Sequence, residues 1–134
     1  DEWAPRVVGR LLDNYPSEVG PVLDRWSVDD DFWIRRSSLL SMLISLRRGE
    51  GEFDRFGRYA DAMMGETEFF IRKAIGWTLR DMSRRRPIEV AEFIRPRVGA
   101  MSGLTFREAV RRLPDELRIP LEVERAKLSK RPNK

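Results

Sequence analysis

The sequence has 134 residues, enough for one domain, and its 41% hydrophobic and 36% charged residues are typical of a globular protein. It carries 26 lysines and arginines against 22 acidic residues, so the net charge of +4 is by itself only weak support for a nucleic-acid partner. Cysteine and histidine are absent, which excludes disulfides, thiolate or imidazole metal ligands and histidine-activated nucleophiles, so any catalysis must rest on carboxylates, hydroxyls or cationic side chains.

The first half of the chain contains four segments in which apolar residues recur with the 3.6-residue period of a helix. We predict helices over Glu2 to Leu12, Ser17 to Trp26, Asp30 to Arg47 and Glu52 to Met64. The acidic run 29–31 at the start of the third helix suits the positive end of the helix dipole, and Gly49 follows its end.

The second half predicts four more helices, for a total of about eight. The fifth begins after Thr67, a candidate N-cap, and ends in the basic run 84–86; the sixth runs from Pro87 to about Val98. Thr105 is the expected cap of the seventh, with Glu108 three residues later as in a capping box, and Pro114 opens a last helix to about Leu128. We therefore predict one domain over 1–128, followed by a basic tail at 129–134.

An internal repeat links the third, fifth and seventh predicted helices. The segment 33–38 (WIRRSS) matches 70–75 (FIRKAI) and, more loosely, 105–110 (TFREAV), at periods of 37 and 35 residues. A unit of this length that contains two helices is typical of HEAT-type arrays. No segment alternates as a strand would. The sequence therefore predicts an all-α solenoid of antiparallel helix pairs, in which these three helices line one concave side.

The fifth predicted helix carries two stripes at helical spacing. Its core stripe is predicted to consist of Ile71, Ile75, Thr78 and Met82, and its second stripe of Lys73, Trp77, Arg80 and Arg84. A tryptophan among three cations can stack on a sugar or base while the cations contact phosphates. The alternative is that Trp77 is a half-buried packing residue beside cations that reach out to solvent.

Arg36 is the second candidate for a functional cation. It shares a side of the third predicted helix with Leu39, Leu40 and Leu43, which places it toward the packed region. A semi-buried arginine needs an anionic partner, which is either a carboxylate of a neighbouring helix or a DNA phosphate.

Three motifs in the same order resemble those of the AlkD-like DNA alkylation repair family, whose members are alkylpurine glycosylases built from HEAT-like repeats. In chain order they are Asp31 to Arg36 (DFWIRR), Glu68 to Arg80 (EFFIRKAIGWTLR) and Thr105 to Ala109 (TFREA). The second is similar to the family's F-F-I-x-K-A-I-G-W-x-L-R. The resemblance extends to about Leu113. It implies a DNA glycosylase of base excision repair, a hydrolase that cleaves the N-glycosidic bond of cationic N3- or N7-alkylated purines in double-stranded DNA.

The resemblance also implies the site residues. A count without gaps places the family's catalytic aspartate at Asp1, its cleft arginine at Arg36 and one cleft tryptophan at Trp77. The implied DNA contacts are Arg35, Arg72, Lys73, Arg80, Arg84 and Arg107. Family members are longer, so we expect this chain to be a C-terminal portion that lacks the N-terminal repeats and a second tryptophan four residues before Asp1.

Two other functions remain open at this point. The same basic face would serve a non-catalytic DNA-binding scaffold, and a HEAT-type protein-interaction module would use its arginines in surface ion pairs. DNA affinity falls steeply with salt, which separates DNA binders from the interaction module, and release of the alkylated base separates the enzyme from the scaffold. We further expect a cytoplasmic monomer that binds no metal, no cofactor and no membrane.

Overall fold

A computed structural model describes residues 4–49 and 52–129 as a series of helices without a β-strand, which confirms the predicted all-α class. A π-helical turn at Ala4–Val8 leads into the first α-helix, and a 3-10 turn at Arg95–Arg97 follows the seventh. The α-helices are α1 (Gly9–Asn14), α2 (Pro16–Trp26), α3 (Phe32–Leu40), α4 (Leu43–Arg47), α5 (Phe53–Met63), α6 (Phe69–Met82), α7 (Pro87–Ile94), α8 (Gly103–Val110) and α9 (Asp115–Ser129).

The helices form two layers, and successive helical pairs place one member in each. In the first layer α3 contacts α6, α6 contacts α8, and α4 contacts both α1 and α6. In the second layer α7 contacts α9, Arg55 of α5 bonds to Asp24 of α2, and the Phe56 ring of α5 packs edge-on against Phe93 of α7. This is the arrangement of a helical-repeat solenoid, because each pair packs mainly on its neighbours.

The core lies between the layers and includes the predicted stripe of α6. Ile71, Ile75, Thr78 and Met82 are at most 1% exposed, so that prediction is confirmed. The contact of α6 with α8 is close enough to require a glycine. A Cβ on Gly76 would lie 2.8 Å from the Cβ of Glu108, well inside van der Waals contact.

Ion pairs tie successive repeats together along both layers. Each joins an arginine to a carboxylate about one repeat away in sequence, and the pairs are Arg35–Glu66, Arg47–Asp81, Arg55–Asp24, Arg80–Glu108 and Arg97–Asp61. Many of the arginines therefore have a structural role between repeats, as the ion-pair alternative predicts for them.

The prediction of one continuous third helix over Asp30 to Arg47 was wrong, because this segment forms two helices, α3 and α4. The hydroxyls of Ser37, Ser38 and Ser41 donate to backbone carbonyls three or four residues earlier, at 3.0, 2.5 and 2.6 Å. Such bonds compete with the backbone ladder and bend helices. The helix accordingly ends at Leu40 and restarts at Leu43 as α4.

The caps and ends of the later helices also differ from the prediction. Ser102, not Thr105, caps α8, since its hydroxyl accepts from the Thr105 amide at 3.1 Å; the Thr105 hydroxyl instead donates to the Arg72 carbonyl. Glu68, not Thr67, is the N-cap position of α6, which ends at Met82, before the basic run. Helix α7 ends at Ile94 because a proline follows two residues later. None of the helices in the described ranges has the length and apolar character to cross a bilayer.

Candidate nucleic-acid interface

Three aromatic side chains form an exposed cluster where α3 and α6 lie side by side. Trp33 is 46% exposed, Phe69 51% and Phe70 39%. The ring centroids of Trp33 and Phe70 are 4.9 Å apart, and those of Phe69 and Phe70 are 5.3 Å apart. Trp33 and Phe70 hold equivalent positions in the repeat, so the stacking of one repeat on the next brings their rings together.

Lys73 and Trp77 continue this cluster along α6. The Lys73 Nζ lies 4.6 Å from the centroid of the Trp77 ring and 5.4 Å from that of Phe69, and the guanidinium carbon of Arg80 lies 5.9 Å from the Trp77 ring. Lys73 has no carboxylate partner within residues 4–49 and 52–129. Trp77 is half-buried, so it packs against the protein and also presents an aromatic face to cations. We refer to Trp33, Phe69, Phe70, Lys73 and Trp77 as the cation–aromatic row.

Arg36 lies beneath this row and is only 7% exposed, as the prediction of a semi-buried arginine requires. Its guanidinium carbon is 5.9 Å from the ring centroids of both Trp33 and Phe70. Burial lowers the pKa of the Arg36 guanidinium, since the charged form loses hydration. A guanidinium nevertheless keeps its proton in proteins, so Arg36 is a positive charge held against aromatic faces.

Arg36 and Trp77 line one cavity of about 350 Å³. They come from neighbouring repeats, 41 positions apart, and meet because α3, α4 and α6 pack in the same layer. The rest of the lining is Pro5, Arg6, Leu40, Leu43, Ile44 and Arg47. The cavity thus combines three arginines with an indole and an aliphatic wall, a surface suited to an anion attached to a flat or apolar group. Asp1, the predicted carboxylate of this site, lies outside the described residues.

The remaining predicted DNA contacts divide into two groups. Arg35 donates to both carboxylate oxygens of Glu66, at 3.1 and 2.6 Å, and Arg80 donates to Glu108 at 3.0 Å. The Arg72 Nε donates to the Glu66 carbonyl at 2.8 Å. Arg35 and Arg80 are thus held in ion pairs inside the protein, whereas Arg72 donates one hydrogen bond to the backbone. Arg84 and Arg107 are exposed and form no ion pair within the described part of the chain, so they are free to contact an external anion.

The sequence interpretation gave no site role to three exposed aromatic residues at the starts of α3 and α6 or to two arginines of the cavity. The missed residues are Trp33, Phe69, Phe70, Arg6 and Arg47. A signal for the first three was present, because aromatic residues recur at the start of two repeats on positions whose helical neighbours are cations. Within the described ranges no group of three acidic residues is placed to hold a metal ion.

The fold and this surface define a helical-repeat protein with a cation–aromatic face. A family model described as DNA alkylation repair enzyme matches residues 1–113, and the chain belongs to that family. No curated protein matches the chain. The matched range contains the whole cation–aromatic row and, in the cavity next to it, Arg36 and Trp77. The family gives the protein an enzymatic role in DNA repair, with DNA as its substrate.

Proposed function

We propose that the protein is an alkylpurine DNA glycosylase that hydrolyses the N-glycosidic bond of cationic N3- or N7-alkylated purines in duplex DNA. One observation carries the proposal: Arg36 and Trp77, which the resemblance pairs in the catalytic cleft, share a cavity wall although they belong to different repeats. A buried cation beside an indole is the combination needed to hold a phosphate next to the deoxyribose of a damaged nucleotide.

The chemistry needs no histidine or cysteine. An alkylated purine already carries a positive charge, so it leaves with the electron pair of the C1′–N bond without prior protonation. The sugar develops oxocarbenium character, and water adds to C1′ and loses a proton. A carboxylate can stabilise the sugar cation and accept that proton, and we assign this role to Asp1. The electron-rich face of Trp77 adds attraction to the same positive charge.

Recognition in this proposal rests on the DNA backbone. Arg36 holds the phosphate next to the lesion and Lys73 contacts a neighbouring phosphate along the cation–aromatic row. The row offers charge and ring faces, with few groups suited to hydrogen bonding with base edges. Because phosphate contacts carry no sequence information, we expect little preference for the bases that flank the damaged purine.

Release of 7-methylguanine from a methylated duplex tests the proposal. The protein should release the base, and Asp1→Asn should reduce release to the uncatalysed background while leaving DNA affinity nearly unchanged, because an amide cannot stabilise the sugar cation. Asp30→Asn is the matched control, since it removes an exposed carboxylate at the start of α3, outside the cavity.

Two results would contradict the proposal in different ways. If the unmodified protein binds DNA tightly but releases no base, it is a non-catalytic DNA-binding scaffold and the proposed glycosylase activity is wrong. Full activity of the Asp1→Asn variant would be consistent with a glycosylase but would contradict the catalytic role of Asp1.

A further inference from the structure

A second, larger cavity of about 490 Å³ lies between the π-helical turn, α1 and α4. Four arginines line it, Arg6, Arg10, Arg47 and Arg48, together with one carboxylate, that of Asp13. The other lining residues are Pro5, Gly9, Asn14 and Ile44. The sequence interpretation gave none of these arginines a role.

The charges around this cavity are unbalanced. The Asp13 carboxylate accepts from the Ser45 hydroxyl at 2.6 and 2.7 Å, and Arg47 is paired outside the cavity with Asp81 at 2.8 Å. Arg10 and Arg48 are exposed and form no ion pair in residues 4–49 and 52–129. Because the charges of Arg10 and Arg48 are not compensated, an anion that enters the cavity is attracted by both.

The two cavities adjoin each other. Pro5, Arg6, Ile44 and Arg47 line both, so the basic cavity opens next to the one that holds Arg36 and Trp77. The π-helical turn Ala4–Val8 carries Arg6 at their boundary. Neighbouring helix axes in such a layer are about 8–10 Å apart, so the path from α6 across α4 to α1 is about 20 Å long. A DNA strand advances about 3.4 Å per phosphate, so several phosphates fit along this path.

We infer that the basic cavity of Arg6, Arg10, Arg47 and Arg48 holds backbone phosphates of the DNA on the α1 side of the lesion. This extends the proposed function, on which it rests for the identity of the ligand as DNA. Arginine suits this role because its planar guanidinium donates two parallel hydrogen bonds to a phosphate. The strand that presents its damaged nucleotide to Arg36 and Trp77 thus continues over α4 toward α1.

Binding of an unmodified duplex at several salt concentrations tests the inference. In the double variant Arg10→Gln/Arg48→Gln, the slope of the logarithm of affinity against that of salt should decrease by about two, since each lost phosphate contact contributes about 0.9. Arg25→Gln/Arg95→Gln is the matched control. It removes the same charge from exposed side chains on the second layer, which form no ion pair in the described residues. Its slope should change by much less.

Because an unmodified duplex is used, this result is independent of base release. A decrease confined to the Arg10/Arg48 variant supports the basic cavity even if no alkylated base is ever released. Equal decreases in the two variants would mean general attraction by net charge and would overturn the inference, as would an unchanged slope. An unmodified protein that does not bind DNA would overturn both the inference and the proposed function.

Discussion

The cluster between α2 and α5 and the cation–aromatic row on α3 and α6 both contain a cation and aromatic side chains, but they differ in whether a carboxylate accompanies the cation. Between α2 and α5, Arg55 donates to Asp24 at 2.7 Å and to Glu52 at 2.8 Å, and the Tyr59 hydroxyl also donates to Asp24. In the cation–aromatic row on α3 and α6, Lys73 lies against two rings and has no carboxylate partner in the described residues. The first cluster stabilises the stacking of repeats, whereas the second leaves its charge available to an external anion.

The pKa of the Asp24 carboxyl reflects the ion pair and hydrogen bonds of the first cluster. The hydrogen bond from Tyr59, together with the charge of Arg55, holds the pKa of Asp24 below its usual value. Burial and the bond to Asp24 raise the pKa of the Tyr59 hydroxyl. The charged form of Asp24 is therefore the one the fold stabilises, and this contribution to stability is lost as the pH falls through the lowered pKa.

Removing Asp24 should have the largest effect on stability. Asp24→Ala leaves Arg55, whose side chain is only 15% exposed, with Glu52 as its one remaining carboxylate in the described residues, and it deprives Tyr59 of its acceptor. We expect the free energy of unfolding, measured with urea, to fall by about 1–2 kcal/mol, because the ion pair is partly screened by solvent but the Tyr59 hydroxyl loses its acceptor. Glu52→Ala removes the other, i,i+3 partner of the same arginine and should cost only about 0.5 kcal/mol. Equal losses in the two variants, or a loss of DNA affinity by folded Asp24→Ala protein, would erase the distinction between the clusters.

Replacing Lys73 should affect DNA binding and leave stability nearly unchanged, the opposite of what we expect for Asp24, and the effect should be smaller. Lys73→Gln removes a cation that no carboxylate holds, so the slope of DNA affinity against salt should fall by about one, while the unfolding free energy changes by no more than about 1 kcal/mol. Lys73→Arg keeps the charge and should keep the slope. A slope that is the same for Lys73→Gln as for the unmodified protein would place this lysine among the structural cations.

The sequence predicted the fold well because helical periodicity and a repeat of about 36 residues are local signals. It placed Ile71, Ile75 and Met82 in the core and Arg36 near it correctly. It predicted one helix where α3 and α4 are separate, because whether the hydroxyls of Ser37, Ser38 and Ser41 bond to their own backbone depends on how the neighbouring helices pack. The sequence also could not decide which residue caps α8, since both Ser102 and Thr105 can cap a helix.

The candidate site could be predicted only in part. Helical spacing put Lys73, Trp77 and Arg80 on one stripe, but spacing within a helix does not say which charges an adjacent helix supplies. Glu108 of α8 lies 3.0 Å from Arg80, whereas Lys73, two turns earlier, has no carboxylate partner in the described residues. The basic cavity went unnoticed for a related reason, because its arginines belong to two segments that only the folded chain brings together.

Single-turnover release of 7-methylguanine by variants of two adjacent arginines, Arg35 and Arg36, tests most directly whether the cavity is the site of the reaction. Arg35 is paired with Glu66, whereas Arg36 lines the cavity with Trp77. At a temperature where both variants are folded, Arg36→Ala should slow release and weaken DNA binding by about tenfold to a hundredfold, equivalent to one charge-assisted hydrogen bond. Arg35→Ala should lower the midpoint of unfolding and leave release unchanged. Slow release by Arg35→Ala together with normal release by Arg36→Ala would contradict the assignment of the cavity as the site of the reaction.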